Sequence, residues 1–586
     1  MSLNYQQLIE EKYQLNNHVN KIDQRRNLQE AQSYQEPTHS MSGPGLIQQS
    51  SLSVLPNSIQ NLDEKDQRLF VEFGIGKKQS IPYEFIHHAF EKQVSLHPHG
   101  VAATHLSESI SYTELNQKAE LLAQYLRERG VSSGDCVAVF VQRSIPMLIG
   151  FLAVLKCGAA YVPQDVGVTP LGQLQHMLEI TGVKIVLSLK KFESVVSSLE
   201  CESCVYLDEF NWDAQYVTKS LTVESFSDVR EDEHRKKSSP VCFVLFTSGT
   251  TGKPNGVRVT HKNLCNIILT EPGSLGIEPG IRVSQILNIS FDMSAWEIWG
   301  CLSHGGTLII RNKSIEQAAK NADVIIATPS ILAKINHQHC HRTKVVAVAG
   351  EPCPKPLALK WAEQCTFYNS CGPTETTIIN TLTEVRSGAD RISIGEPTPN
   401  NNVYILNEEQ KPCAIGEVGE MWAGGAGITS GYVNNPMLTF ERYKPDPFLG
   451  GEHVMFRTRD LGRWTAEGKL EHFGRTDDQV KVKGFRVELD SIAAALETLD
   501  GCDKAVIIKF DAQNLIAFVG STVDVVMAKQ QVANSLPYYC VPAHIICLEK
   551  FPITSRGKVD KKRLYQIAQD HMNKAMEQHL RQEETA

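Results

Sequence analysis

The sequence predicts a large α/β core domain, with β-sheets flanked by helices, followed by a small α+β domain at the C-terminal end. Three observations carry this. The chain has 586 residues, more than one hydrophobic core organises, so several domains are expected. From Ile81 onward, short β-rich runs alternate with helix-like segments, the pattern of layered sheets of which at least one is mainly parallel. After "GRTDDQVKVKGFRVELD" a second alternation begins, long enough to build a domain of its own.

In chain order, residues 1–75 read as extension and linker. The stretch up to about residue 55 is rich in Gln, Asn and Ser, and "EPTHSMSGPGLIQQSS" has linker composition. Upstream of it, "YQQLIEEKYQLNNHVNKI" has the pattern of a polar amphipathic helix, although a loosely ordered extension is the simpler reading. The core is expected over 76–476. There "SYTELNQKAELLAQYLRERG" spaces its apolar residues as a helix does and ends in Gly. "CVAVFV", "CFVLF", "TLII", "DVIIA" and "KVVAVAG" are strand-sized runs. The small domain is expected over 477–570, with helix "SIAAALETL" and strands "KAVIIKF" and "LIAFVG", and 571–586 as a tail.

Composition excludes several classes. Hydrophobic residues make up 42% and charged residues 21%, with a net charge of −8. That balance fits a soluble globular protein and points to neither nucleic acid nor an acidic membrane surface. The N-terminus has no basic start followed by an apolar run, so no secretory signal is read, and no apolar stretch approaches a membrane span. The 15 cysteines are scattered, many within apolar runs, which suits free thiols in a reducing cytoplasm.

The segment "LFTSGTTGKPNGV" is the most informative short stretch. It fails the P-loop pattern, because Gly249 and Gly252 are too close and Lys253 is followed by Pro254 rather than Ser or Thr. The physics of anion binding survives. Strand "CFVLF" feeds Thr247, Ser248, Gly249, Thr250, Thr251, Gly252 and Lys253, whose backbone amides, hydroxyls and ammonium suit a phosphate chain.

This loop resembles the signature of the adenylate-forming enzymes, which include acyl-CoA ligases, luciferases and the adenylation domains of nonribosomal peptide synthetases. The resemblance continues in order along most of the chain, through "ISYTELNQKAELLAQYL", "LAVLKCGAAYVPQD", "FDMSAWEIWGCLSHGGTL", "YNSCGPTETT", "GEVGEMWAGGAGITSGYVNNPMLTFERY", "FRTRDLGRW", "GRTDDQVKVKGFRVEL" and "FPITSRGKVDKKRL". "FDMSAWE" followed by "GPTETT" is most similar to the peptide synthetase branch.

The resemblance implies a reaction joining a carboxylate to ATP, with Mg2+, to give an acyl-adenylate and pyrophosphate. Two anions must meet, so charge neutralisation and positioning dominate, and an ionised carboxylate needs no general base. By the same resemblance, the Thr247–Lys253 loop orders the pyrophosphate part of ATP, and Thr247 joins Glu375 and Lys558 as the catalytic set. Glu375 ligates Mg2+, and Gly372 and Thr374 lie against the nucleotide phosphate. Asp460 holds the ribose hydroxyls, Arg475 touches the nucleotide, and Lys558 bridges the substrate carboxylate and the α-phosphate. Asp477 matches the hinge about which the family rotates its small, mobile domain before a thiol acceptor enters.

Asp292, in "FDMSAWE", matches the aspartate that pairs with the α-amino group of the substrate, so an amino acid is expected. The remaining pocket positions carried over are Met293, Trp296, Ile326, Ala347, Ala349, Ser370, Ile378 and Ile379, with Lys558 at the carboxylate. None of the eight is charged, which favours a large apolar or aromatic side chain. Neither a carrier-domain motif nor a condensation signature is read in the chain. A stand-alone enzyme using a separate phosphopantetheine carrier protein is therefore expected, without nucleic acid or membrane partners.

Three departures stand out. Cys371 replaces the usual tyrosine before "GPTE", Arg459 replaces a glycine beside Asp460, and Lys483 stands where arginine is common. They leave open an inactive nucleotide-binding relative, and an acyl-CoA-type ligase remains the other alternative. "HQHCHR" (His337, His339, Cys340, His341) and the pair Cys201 and Cys204 are weak zinc signals, and "GGAGITSG" lacks the spacing of a dinucleotide fingerprint.

Overall fold

A computed structural model describes residues 55–212, 241–249, 252–553 and 559–584. The extension before residue 55, Thr250, Thr251 and Lys558 lie outside the described residues.

The core holds two large sheets. In the first, Ser203–Tyr206, Ile185–Ser188, Cys136–Val141, Ala160–Asp165 and Val241–Thr247 run parallel, and Asn255–Thr260 closes the edge antiparallel. In the second, Thr366–Cys371, Val345–Val348, Val324–Ala327, Arg282–Gln285, Thr307–Ile310 and Val101–His105 are parallel neighbours, with antiparallel strands at both edges. Their residues are rich in Val and Ile without alternation, as strands covered on both faces require.

Helices that are apolar all round fill the space between the sheets. Helix Ile145–Lys156, "IPMLIGFLAVLK", is started by the Ser144 hydroxyl, which accepts from the Met147 amide, and packs on strands of both sheets. Helix Asp292–Leu302 is buried from Met293 to its end, and its Trp299 indole donates to the Tyr161 hydroxyl of the first sheet at 2.9 Å. By contrast, Tyr112–Glu128 is amphipathic and opens on a capping box between Ser111 and Glu114.

A third, antiparallel sheet is built from Asn401–Leu406, Gly419–Gly425, Val454–Trp464, Tyr443–Pro445 and Leu470–Arg475. Residues 55–75, expected as the end of a linker, fold against it. Leu62 and Phe70 of this segment share a core with Tyr404, Trp422 and Phe448. The C-terminal region has its own core around a three-stranded sheet, Val506–Lys509, Leu515–Gly520 and His544–Leu548. A separate hairpin, Gln479–Val482 with Phe485–Glu488, precedes it. The last helix, Lys561–Glu584, runs through the stretch expected as a tail. Among the described residues no helix is long and apolar enough to cross a membrane, and all fifteen cysteines are free.

Several parallel strands end at one place. Thr247, Leu287, Thr328, Ala349 and Cys371, each at or just beyond a strand's carboxyl end, line a common cavity. This is where open α/β sheets bind ligands.

Candidate active site

The cavity has a volume of about 500 Å3 and lies between these strand ends and the C-terminal region, whose Gln479, Lys481, Phe485, Arg486 and Tyr539 form the opposite wall. Thr247, Ser248, Gly372, Thr374, Asp460 and Arg475 line it, so most of the expected nucleotide-binding residues converge.

The glycine-rich loop connects two antiparallel strands, Val241–Thr247 and Asn255–Thr260. Its glycines are required sterically. A Cβ on Gly249 would stand 2.2 Å from the Lys253 carbonyl oxygen, and Gly252 has φ +80°. Both border a smaller cleft next to the main cavity. Lys253 is exposed and lines neither.

Glu375 sits on the tight turn Thr374–Thr376, with its side chain fully buried. Thr377 and Ile378 follow with φ +63° and +70°. Two consecutive β-branched residues in the left-handed region store strain of ~1–3 kcal/mol each, the kind of backbone found at functional sites. The Tyr432 hydroxyl donates to Glu375 at 2.7 Å, and one Arg486 nitrogen donates to both carboxylate oxygens at 2.9 and 3.1 Å. Burial alone would raise the carboxyl's pKa, but the Arg486 and Arg442 charges and the Tyr432 hydroxyl outweigh it and hold it down to about 2. An ionised, buried oxygen ligand fits Mg2+. Among the described residues no group of three or more His, Cys, Asp or Glu is placed to hold a metal. Glu375 would therefore hold the ion together with phosphate oxygens, as Mg2+ sites commonly do. Here Arg486 engages the same oxygens.

Asp460 is a cross-strand partner of Arg475, which donates to it at 2.7 Å, and the His472 ring lies 3.3 Å away. Burial pushes the Asp460 pKa up, and the His472 hydrogen bond and the Arg475 charge more than reverse this, leaving it below the ordinary value. Arg475 also grips Asp477, the expected hinge residue, at 2.8 and 3.0 Å. Asp460 and Asp477 thus share one arginine. Arg459 adopts φ +64°, the conformation glycine takes without strain, and its guanidinium is tied to Glu441. Cys371 lines the cavity where an aromatic ring was expected, and burial raises its thiol to about 12.

Asp292, which lines the same cavity, is the first residue of its helix. Its carboxylate accepts from the Met293 amide at 2.8 Å and from the Thr374 hydroxyl, and the Lys481 charge favours its ionised form. Burial nevertheless raises its pKa. Met293, Ala349, Ser370 and Ile378 line the cavity with it. Trp296, Ile326, Ala347 and Ile379 are fully buried but do not line it. The Trp296 indole is spent on the Gly273 carbonyl at 2.7 Å, and Ile326 and Ala347 face each other in the sheet register.

Lys481 and Arg486 were not expected here. Both come from the hairpin "KVKGFR", whose two-residue turn Lys483–Gly484 has φ +53° and +86°. Positive φ at both positions is the tight hairpin turn that Gly favours, and it sets Lys481 directly opposite Arg486 on one face. The Lys-Gly dipeptide between two short β-type runs was the available signal.

Residues 90–433 match the family described as AMP-binding enzyme. The chain belongs to this family. An adenylate-forming reductase of Coprinopsis cinerea is 42% identical over 521 residues, 88% of this chain and 50% of the relative. Tyrocidine synthase 1 of Brevibacillus parabrevis is 34% identical over 527 residues, 87% of this chain and 46% of the relative. The chain thus spans about half the length of these relatives. The fold is shared with a solved Vibrio cholerae adenylation domain in complex with glycyl-adenosine-5'-phosphate, with a TM-score of 0.71 at 21% identity over 85% of this chain and all of that one. An artificially fused adenylation–PCP di-domain from Klebsiella oxytoca gives a TM-score of 0.68 at 24% identity, covering 79% of this chain and 93% of that one. The family match makes the chain an AMP-binding enzyme, and the solved neighbours give it the fold of an adenylation domain.

Proposed function

We propose that this AMP-binding enzyme activates an α-amino acid with a large apolar or aromatic side chain and passes it to the phosphopantetheine thiol of a carrier protein. The observation that carries the reading is Asp292. It is an acidic group among the apolar residues Met293, Ala349 and Ile378 in the cavity that also holds Thr247, Thr374 and Asp460. A carboxylate whose burial disfavours its charge is restored by an ammonium partner.

In this reading Asp292 fixes the amino group and turns the substrate carboxylate towards the nucleotide. A carboxylate oxygen bonds to the α-phosphorus as the bond to the β-phosphate oxygen breaks, and pyrophosphate leaves. The glycine-rich loop steers the leaving group, Thr374 the α-phosphate, Asp460 the ribose, and Lys558 neutralises the charge that gathers between the two anions. Magnesium on Glu375 would supply Lewis-acid neutralisation of the phosphates. In the second step the carrier thiol adds to the acyl carbon, its proton passes to solvent, and AMP departs. Asp477, gripped by Arg475, is the pivot for the change between the steps. The adenylation–PCP fusion among the structural neighbours supports a carrier as acceptor.

A second reading has its own support. The Lys481 charge already favours the ionised form of Asp292, so an acid without an amino group would still leave this carboxylate some cationic support. Relatives at 42% identity are named adenylate-forming reductases. ATP–pyrophosphate exchange across the twenty amino acids and common aryl acids decides between them. The amino-acid reading expects exchange with one bulky apolar amino acid, lost in Asp292→Ala. Exchange with an aryl acid that survives this substitution selects the second reading, and ATP binding without any exchange selects an inactive relative.

A further inference from the structure

Both arginines of the cavity are spent, Arg475 on Asp460 and Asp477 and Arg486 on Glu375. A second pair is not. Arg143 follows strand Cys136–Val141 of the first sheet, and Arg311 follows strand Thr307–Ile310 of the second. Both are half-buried, and neither lines the cavity itself. Arg143 donates to the carbonyl of Leu287, a cavity residue, at 3.1 Å. The Arg311 side-chain Nε is buried with no hydrogen-bond partner. Among the described residues neither guanidinium forms a salt bridge. Lys191, just past strand Ile185–Ser188, donates to the neutral Gln142 side chain at 2.7 Å.

Two acids lie within electrostatic reach, and neither cancels these charges in full. Asp165 spends one oxygen on the Gly167 amide at 3.0 Å. Burial pushes Glu297 up to about 8, against the Ile286 and Leu287 amides and the two arginine charges, so it is mostly protonated at neutral pH. Burial lowers the pKa of both arginines, and the Arg143 charge lowers that of Arg311 further. The place is also where the acyl cavity meets the C-terminal region. The Asp165 amide donates to the Ser290 hydroxyl at 3.1 Å. Asn288, Ser290, Phe291 and Tyr539 line both the cavity and the smaller cleft. Tyr538, 52% exposed, lies within reach of the Arg311 and Asp165 charges.

We propose that Arg143 and Arg311, with Lys191 beside them, form an anion subsite that takes the phosphate ester of the thiol acceptor. The proposal rests on the reading of a phosphopantetheine acceptor and names the cations that meet its phosphate. Forked guanidinium donors match the oxygens of a phosphate, and its charge supplies the counter-ion that the pair lacks. Gln164, Asn288 and Ser290 in the cleft are polar groups suited to the amides of such an arm. The two arginines stand on separate sheets, so the subsite depends on the packing of one sheet against the other. Because neither lines the cavity, their effect falls on the acceptor rather than on the nucleotide.

The test uses the full chain and two unreactive thioethers, S-methyl-phosphopantetheine and S-methyl-pantetheine, with binding measured by isothermal titration calorimetry. The phosphorylated arm should bind at least about tenfold more tightly, as charge-assisted hydrogen bonds to phosphate give. Arg143→Gln and Arg311→Gln should each remove most of that preference. The quantity read is the ratio of the two affinities, which a merely structural change leaves alone. Arg143→Lys and Arg311→Lys keep the charge and should retain part of the preference, which keeps the test readable where a Gln variant fails to fold. S-methyl-coenzyme A separates the sources of the phosphate. Affinity equal to that of the phosphorylated arm supports the phosphate of a carrier-borne arm, and tighter binding that also falls in the Gln variants supports coenzyme A at the same subsite. Equal affinities of the two arms in the unmodified chain overturn the subsite and leave the acceptor reading standing. A preference that survives both Gln substitutions also overturns it and makes the arginines structural partners of Asp165 and Glu297. If neither arm binds, the acceptor reading fails and the subsite with it.

Discussion

Replacing Glu375 by Gln removes a charge that the structure neutralises completely. The side chain is buried, the Arg486 nitrogen lies 2.9 Å away, and the Tyr432 hydroxyl donates to it. Two routes to the magnitude agree. A carboxyl held at about 2 instead of 4.5 contributes ~3 kcal/mol at neutral pH. Breaking one partner of a buried ion pair destabilises by ~3–5 kcal/mol, because the other charge is left alone. Because the folded-state pKa is depressed, this stabilisation is complete above about pH 4.5 and is lost as the pH falls towards 2. A double-mutant cycle with Arg486→Gln isolates the pair, measured by equilibrium urea unfolding at pH 7. Glu375→Gln alone should lose ~3 kcal/mol, and adding Arg486→Gln should recover a large part, giving a coupling of ~2–3 kcal/mol. Strictly additive losses would falsify the reasoning, as would a Glu375→Gln chain within ~0.5 kcal/mol of the unmodified one.

Asp460→Asn should raise the KM for ATP by ~10–100-fold with little effect on the KM for the acid, since charge-assisted hydrogen bonds are worth ~1.5–3 kcal/mol; parallel changes in both constants would place Asp460 elsewhere. Arg459→Gly relieves φ +64° at the loss of partly exposed ion pairs to Glu441 and, at 3.5 Å, to Asp477, and should stabilise by at most ~1 kcal/mol, read as a small rise in Tm. A fall in Tm would show that these pairs outweigh the backbone strain. Phe70→Ala empties a site 2% exposed beneath Tyr404 and Phe448 and should destabilise by ~3–5 kcal/mol, whereas an unstructured linker would show no change on urea unfolding. Lys558→Ala should lower the exchange rate by ~10²–10³ with the KM values little changed, as for other single charge-stabilising groups; a rate within a factor of three would remove it from the chemistry.

Local rules reached far along this chain. Alternating β-rich and helical runs, Ser111 with Glu114 at a helix start, and the glycines at 249 and 252 follow from backbone sterics and capping, which act over a few residues. So the layered fold and the phosphate-type loop were legible, and the left-handed backbone at Arg459 was visible as a glycine replaced. The Lys483–Gly484 turn was equally local, and it places Lys481 and Arg486 on one face. What that face meets was not local. Arg486 reaches Glu375 across 111 residues of sequence, and Ser248 reaches the Arg486 carbonyl across 238. Only the docking of the C-terminal region on the strand ends brings these groups within hydrogen-bond distance. The same holds for the acyl end, where Asp292, Met293, Ala349, Ser370 and Ile378 line the cavity while Trp296, Ile326, Ala347 and Ile379 lie behind it. Side-chain type in the sequence led to the expectation of uncharged neighbours around one acid, Asp292. Which residues border the cavity, and that Glu375 is paired with Arg486, were decided by packing, because a buried charge takes its partner from whatever the fold carries to it.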